Sequence, residues 1–297
     1  MIKGWYMDKV SLTWIMVVCN LVIHTLMAQQ EVQIVKVSQH VYEVLGGRGA
    51  RGGAIVTDQG IALIDTKMDK ASMDQALERI RAISDRPIRY LINTHSDADH
   101  TSGNRFMPAG VIVIAHQNCR KELFLPGRDG RPTLWSDPNM ASFAPSITFS
   151  DRMDIYLGTT KVELWYLGVG HTTGDTVVYL PADRTAFIGD QVFVGRVPLI
   201  HAYKGGDSHQ QVQTLQRMLA ALPDAERFLS GHAEPIGRAG IEGYIEQMKA
   251  RHAKVKMLQQ QGQSLEQVKA AFPAEETSLV EIIWNECKKY YKQDTGP

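Results

Sequence analysis

The stretch Ile88-Arg89-Tyr90-Leu91-Ile92-Asn93-Thr94-His95-Ser96-Asp97-Ala98-Asp99-His100-Thr101-Ser102-Gly103-Asn104 decides how this chain is read. Its first half is an apolar, β-branched run suited to a buried strand. Its second half sets four metal-ligand side chains, His95, Asp97, Asp99 and His100, within six residues. A turn held by a buried strand can present such a set to two cations at once. Further on, Gly170-His171-Thr172-Thr173-Gly174-Asp175 precedes a strand-like run, Gly189-Asp190 follows another, and Gly231-His232 follows a third. Glycine beside each of these residues lets the backbone turn tightly and approach a metal closely. Imidazole and carboxylate together suit zinc, iron or manganese, and a catalytic site leaves one position open for water. Two ions sharing a carboxylate can generate hydroxide near neutral pH and polarise a substrate oxygen, which is a design for hydrolysis.

Outward from this stretch, short β-branched runs at residues 32–37, 41–45, 54–57 and 61–65 predict an antiparallel opening, with Asp58-Gln59-Gly60 as a hairpin turn. Met73, Leu77, Ile80 and Ile83 recur at helical spacing, and Pro87 closes that helix. A strand at 111–115 and a helix from His116 follow, then residues 125–144, which hold three prolines and no periodicity and read as a long loop over a site. The pattern then partly repeats, with strands at 147–149, 154–157, 161–166, 176–180 and 185–188, a helix over 207–222 and a strand at 227–229. Two strand-rich halves, each ending in helix, predict two sheets packed face to face with helices outside, an αββα four-layer sandwich of the α/β class. From Ile241 the chain reads as helix, with a capping box at Ser264 and Gln267, so residues 29–240 form the sandwich and 241–297 a helical extension packed on the same domain.

With 32 basic and 32 acidic residues among 297, the chain has no positive excess with which to hold nucleic acid. Three cysteines are too few for a disulfide framework and form no CxxC pair; Cys119 and Cys287 read as buried thiols. Residues 1–28 read as a secretory signal peptide: Lys3 and Lys9 precede an apolar stretch over 10–27 that ends at Ala28. The stretch is short for a membrane span and is interrupted by Asn20, His24 and Thr25. The expected product is an exported protein, periplasmic or secreted, with no membrane association after cleavage and a small-molecule substrate; the sequence does not set an oligomeric state.

His95-Ser96-Asp97-Ala98-Asp99-His100, followed by Gly170-His171, Gly189-Asp190 and Gly231-His232, resembles the metallo-β-lactamase fold superfamily, whose usual first motif is HxHxDH. The resemblance runs from Val32 to Ile236 and is closest in phrasing to secreted, glyoxalase-II-like and sulfur-oxidation-associated hydrolases. It implies two divalent metal ions, zinc first: one held by His95, Asp97 and His171, the other by Asp99, His100 and His232, with Asp190 bridging. It also implies that a metal-bridging hydroxide cleaves an ester, thioester, lactone or lactam, with Asp99 and Asp190 as catalytic carboxylates. Asp97 departs from the pattern, standing where the second histidine is usual. As a ligand it makes the first site harder and more negative, admitting iron or manganese and leaving water less acidified. The open alternative is a solvated turn carboxylate or a partner of a ligand histidine. A carboxylate at this place also resembles di-iron flavoproteins and the hydrolase-like domain of DNA-uptake channels, which keeps an iron-dependent oxidoreductase acting on oxygen or a sulfur compound as an alternative, beside a phosphodiesterase.

Around these residues, Asp175 is expected to brace His171 or its loop, and His201 to lie on a loop that reaches substrate or to serve packing. Arg48 and Arg51, in the glycine-rich segment 46–53, are expected either to meet an anionic substrate group or to stay solvated. Trp135 and Phe143 line an apolar pocket or staple their loop. No GxSxG nucleophile is present.

Overall fold

A computed structural model describes residues 31–291. The segment expected to be a leader, with Cys19, lies in residues 1–30, which with residues 292–297 fall outside the described residues. A seven-stranded sheet runs in sequence order: β1 (Gln33–Lys36), β2 (Val41–Leu45), β3 (Gly52–Thr57), β4 (Gly60–Ile64), β5 (Ile88–Ile92), β6 (Ile112–His116) and β7 (Ile147–Phe149). It is antiparallel from β1 to β4 and parallel from β4 to β7. A five-stranded sheet has the order β12-β11-β10-β9-β8, built from β8 (Arg152–Leu157), β9 (Thr160–Tyr166), β10 (Thr176–Leu180), β11 (Thr185–Gly189) and β12 (Arg227–Ser230). Only β11 and β12 pair in parallel there.

Strand alternation explains the layers. In β4 every residue is buried, which marks a strand covered on both faces. Ile61 and Leu63 point to α1 (Lys70–Ile83) and its Met73, Ala76, Leu77 and Ile80, while Ala62 and Ile64 point to the other sheet. The inter-sheet core joins Ile55, Ile92 and Ile114 to Leu164, Val178, Leu180 and Phe187. On the far side, Val177, Ile188 and Phe228 pack under the helices α4 (Ser208–Ala221), α5 (Arg238–Gln260) and α7 (Thr277–Tyr291). The result is the expected four-layer αββα sandwich.

The remaining helices are α2 (Ala98–Thr101), α3 (Gln117–Leu123) and α6 (Leu265–Ala270). The capping box at Ser264 and Gln267 forms in both directions at the start of α6. Helix α5 begins at Arg238, three residues ahead of the expected helical start at Ile241, and its Ile241, Tyr244, Ile245 and Met248 join the same core as β10–β12. The segment 125–144 is less irregular than its composition predicts. Two 3-10 turns form there, Leu134–Ser136 and Pro138–Phe143, the second started by Pro138 and capped by Asp137. Trp135, Met140 and Ala144 pack on Leu123 with Phe143 beside them, so both aromatics staple the loop, and Trp135 also lines a cavity. Cys119 and Cys287 are both free and buried.

Candidate metal centre

The site gathers at one edge of the sandwich, where β4, β5, β11 and β12 end and where β9 connects to β10. Asp65 follows β4, residues 94–100 follow β5, Asp190 follows β11, and Gly231-His232 follows β12. The β9–β10 connection carries His171. All seven expected ligand residues meet here. In one group, ligand atoms of His95, Asp97, His171 and Asp190 lie within 4.8 Å of one another; in a second, those of Asp99, His100 and His232 do. Asp190 reaches both groups. Its Oδ2 is 3.9 Å from Nε2 of His95 and of His171 and 3.2 Å from Nε2 of His232, and its Oδ1 is 3.3 Å from His100 Nε2.

Glycine is required at two of these strand ends. Gly189 has φ +52°, and a side chain at Gly231 would sit 2.4 Å from Asp190 Oδ1 and 2.6 Å from His100 Cε1. Three of the imidazoles are held from behind, so that the Nε2 of each faces the centre. His95 Nδ1 is 3.0 Å from Thr94 Oγ1, His100 Nδ1 is 2.8 Å from Asp65 Oδ2, and His171 Nδ1 is 2.7 Å from the Leu199 carbonyl. Asp65 accepts hydrogen bonds from Thr94 N and Oγ1 as well, and it does so from φ +59°, a conformation that costs a non-glycine residue energy and persists where its side chain is needed.

Opposite charges are packed tightly. Burial opposes ionisation of Asp97, but hydrogen bonds from His171 and His201, with His95 close by, hold its carboxyl well below the usual range. Asp190 is likewise depressed against its burial by His100, His232 and His95, and Asp99 by His232. Burial works against charge on His171, yet Asp97 and Asp190 raise it to about 9. Hydrogen bonds to Asp190 and Asp99 raise His232 to about 9, and Asp190 with Asp65 lifts His100 well above its ordinary value despite full burial. A cluster that keeps protons on these imidazoles must release them to take a dication, so metal uptake is coupled to proton release.

Whether a metal fits is tested by the polar atoms left over. His95 Nε2, His100 Nε2 and Asp190 Oδ1 are buried and, among the described residues, make no hydrogen bond. A buried donor or acceptor without a partner costs about 1–3 kcal/mol, and three gathered around the Asp190 carboxylate, between the two ligand groups, are satisfied together by cations. The residues present fit the group.

Other expectations are adjusted. Asp175 braces the loop rather than the His171 ring, accepting from Thr172 N at 2.9 Å and Thr172 Oγ1 at 2.6 Å. His201 Nε2 is 2.7 Å from Asp97 Oδ2, so this histidine belongs to the cluster's edge. Arg51 is committed to Glu234, with Glu43 at 3.8 Å, and is not free for a substrate anion; Arg48 is exposed. Asp65 was not singled out as a site residue, although it ends an apolar strand much as Asp190 does. Lys204, whose Nζ is 2.6 Å from Asp97 Oδ1, carries no sequence signal at all.

A cavity of about 310 Å³ opens beside Asp97 and Asp99, walled also by Leu123, Trp135, His201 and Lys204. A larger hollow of about 710 Å³ lies between residues 193–198 and α5. None of its walls is one of the seven expected ligand residues, and Phe193, which stacks on His232, separates it from the cluster.

Residues 50–232 match the model of the metallo-beta-lactamase superfamily, a span that contains every residue of the cluster. The chain belongs to that superfamily. With membership comes the fold, and the cluster is a His/Asp set of the kind that holds metal. Among characterised relatives of this superfamily member, the alpha subunit of 2,4-dinitroanisole O-demethylase from Nocardioides sp. is 28% identical over 147 residues, 48% of this chain and 41% of that one. Metallo-beta-lactamase type 2 from Bacteroides fragilis is 23% identical over 224 residues, 71% of this chain and 83% of the relative. Hydroxyacylglutathione hydrolase from Maricaulis maris is 31% identical over 150 residues, 49% and 48% of the two chains. The chain thus spans under half the length of two of these three relatives. The solved structure of a metallo-beta-lactamase from Pontibacter korlensis superposes with a TM-score of 0.61 at 20% identity, covering 74% of this chain and 99% of that one, a likeness of fold.

Proposed function

We propose that this chain is an exported dinuclear zinc hydrolase that cleaves an acyl bond, in an ester, thioester, lactone or lactam, of a small molecule. The observation that carries the reading is the convergence of unpartnered, buried His95 Nε2, His100 Nε2 and Asp190 Oδ1 between two groups of ligand residues. His95, Asp97 and His171 would hold one ion, Asp99, His100 and His232 the other, and Asp190 would reach both. Bound there, two dications would supply Lewis acidity toward an acyl oxygen and acidify water near neutral pH. Four imidazoles favour zinc, while the oxygens of Asp97, Asp99 and Asp190 leave manganese and iron as competitors.

The chain's own residues supply the rest. Asp99 is ionised and borders the cavity, so the carboxylate oxygen not turned to His232 can orient the attacking water and accept its proton. Asp65, Thr94 and the Leu199 carbonyl fix the rings whose Nε2 atoms face the reaction. Leu123, Leu125 and Trp135 give the cavity an apolar wall that suits a substrate with an apolar body and excludes water from it. Export rests on the leader at residues 1–28, with its basic start and apolar stretch.

A substrate panel tests the bond class. Purified protein reconstituted with zinc is offered thioester, aryl ester, lactone and cephalosporin-type lactam reporters, with a phosphodiester and a sulfate ester as controls. Turnover of at least one acyl substrate, well above the controls, is expected. Turnover of only the phosphodiester or the sulfate ester would contradict the reading.

A further inference from the structure

Asp97 brings a negative charge to a place where the first motif of the superfamily usually has a neutral ring, and its surroundings answer that charge. Lys204 Nζ donates to Asp97 Oδ1 at 2.6 Å and to Ser96 Oγ at 2.9 Å. The other oxygen, Oδ2, faces His171 Nε2 at 3.0 Å, His95 Nε2 at 3.6 Å and His201 Nε2 at 2.7 Å. Lys204 is not a surface side chain that happens to reach inward, since only 9% of it is exposed. It sits on a 3-10 turn, Ala202–Lys204, which is closed by hydrogen bonds from Lys204 N and Gly206 N to the His201 carbonyl. The turn is fastened to the metal centre by His201 N donating to the His171 carbonyl at 2.9 Å and Asp207 N donating to that of Gly170 at 3.0 Å. Glu122 is nearby, but neutral donors satisfy it: Ser96 Oγ at 2.6 Å and Thr173 N at 2.8 Å, with the Thr173 hydroxyl also bound.

A buried ammonium a few ångströms from a dication is strongly disfavoured unless an anion stands between them, and Asp97 stands there. The converse also holds. With Oδ1 occupied by Lys204, Asp97 has one oxygen left for a metal, as a histidine has one nitrogen. We propose that Lys204 is the charge-compensating and positioning residue of the first metal site, making Asp97 a one-oxygen ligand whose net charge matches that of the histidine it replaces. The inference rests on the dinuclear reading of the cluster. Its consequence is that the first site keeps the charge balance of a three-imidazole site, so any lean toward iron or manganese comes from the oxygen donor of Asp97 and not from an added negative charge.

The test is a double-mutant cycle on the full chain, read by zinc affinity in competition with a chromophoric chelator and by the melting temperature of each metal-free variant. Asp97→His restores the usual histidine but strands the Lys204 charge, and is expected to weaken zinc binding by about 10- to 100-fold. Adding Lys204→Met to Asp97→His is expected to recover most of that loss, so that the effect of Lys204→Met differs by roughly tenfold or more between the two backgrounds. The same factor in both backgrounds would overturn the proposal and leave Lys204 as ordinary scaffolding. Should Asp97→His fail to fold, Lys204→Arg and Lys204→Gln in the parent read the same claim through the zinc-to-manganese affinity ratio. Arginine is expected to hold that ratio and glutamine to move it toward manganese by about tenfold; equal behaviour of the two would overturn it. A parent that takes up no zinc fails the dinuclear reading itself, whereas additive effects in a zinc-binding parent fail Lys204 alone.

Discussion

Two clusters of histidine and carboxylate sit in this molecule, and they are built for opposite ends. At the sandwich edge, imidazole Nε2 atoms and a carboxylate oxygen converge without partners. Between α4, α5 and α7, His209, His252 and Glu286 also place ligand atoms within 4.8 Å of one another, yet the atoms turned toward one another are already paired, His209 Nδ1 with Glu286 Oε2 at 3.0 Å. The His209 and His252 rings stack at 3.8 Å and 8°, Glu286 accepts from Ser208 N at 2.8 Å and from its hydroxyl, and His252 Nε2 meets Ser208 Oγ at 2.9 Å. The proton affinities differ in sign. Carboxylates raise His171 and His232 to about 9, whereas burial and the neighbouring His209 drop His252 to about 3. Residue type alone therefore does not mark a metal centre; atoms left facing one another do. The second cluster closes the start of α4, where Tyr290 and Lys289 also bind the capping Asp207, and so ties the C-terminal helices to the chain that carries Lys204.

The contrast can be broken most sharply at Asp190. Asp190→Asn is expected to remove metal from both groups and to lower turnover by more than about 100-fold, beyond what loss of an outer partner causes. Retained metal content in this variant would place the bridge elsewhere. Next in size is Asp65→Asn, which frees the back of His100 and is expected to weaken zinc by about 10- to 100-fold with little loss of fold. An unchanged affinity would show that the ring is positioned without Asp65. Glu286→Ala is expected to do the reverse: metal stoichiometry stays, while chemical denaturation registers a loss of roughly 3 kcal/mol from donors left unpaired around Ser208. Zinc loss in Glu286→Ala would make the second cluster a metal centre after all.

The smallest expected effect concerns pH. His171 and His232 have folded pKa values of about 9, above their ordinary 6.5, so their contribution to stability is full below pH 6.5 and is lost as pH rises through 9. Metal-free protein is expected to melt at progressively lower temperature over that window, and zinc-loaded protein, whose ligand rings carry no such proton, to change less. Equal pH profiles for the two forms would contradict this.

What could be read in advance follows the reach of each interaction. His95, Asp97, Asp99 and His100 announce themselves because one strand end carries all four, and Asp190 and His232 because glycine precedes each at a strand end. The four layers were legible from two strand-rich halves, each ending in helix, and β4 and β10, buried along their whole length, agree with that layering. The partners of those ligands were not, since Asp65 meets His100 across 35 residues and Lys204 meets Asp97 across 107. The 3-10 turns at 134–143 were hidden for another reason: their order comes from Trp135 and Met140 finding Leu123, not from local periodicity.

The central claim is tested most directly by stripping metal from the purified protein with a chelator and titrating zinc back while following hydrolysis of the best acyl reporter. The account predicts that activity vanishes on stripping and returns to its maximum near about two ions per chain. Hydrolysis that persists undiminished after complete metal removal would contradict it.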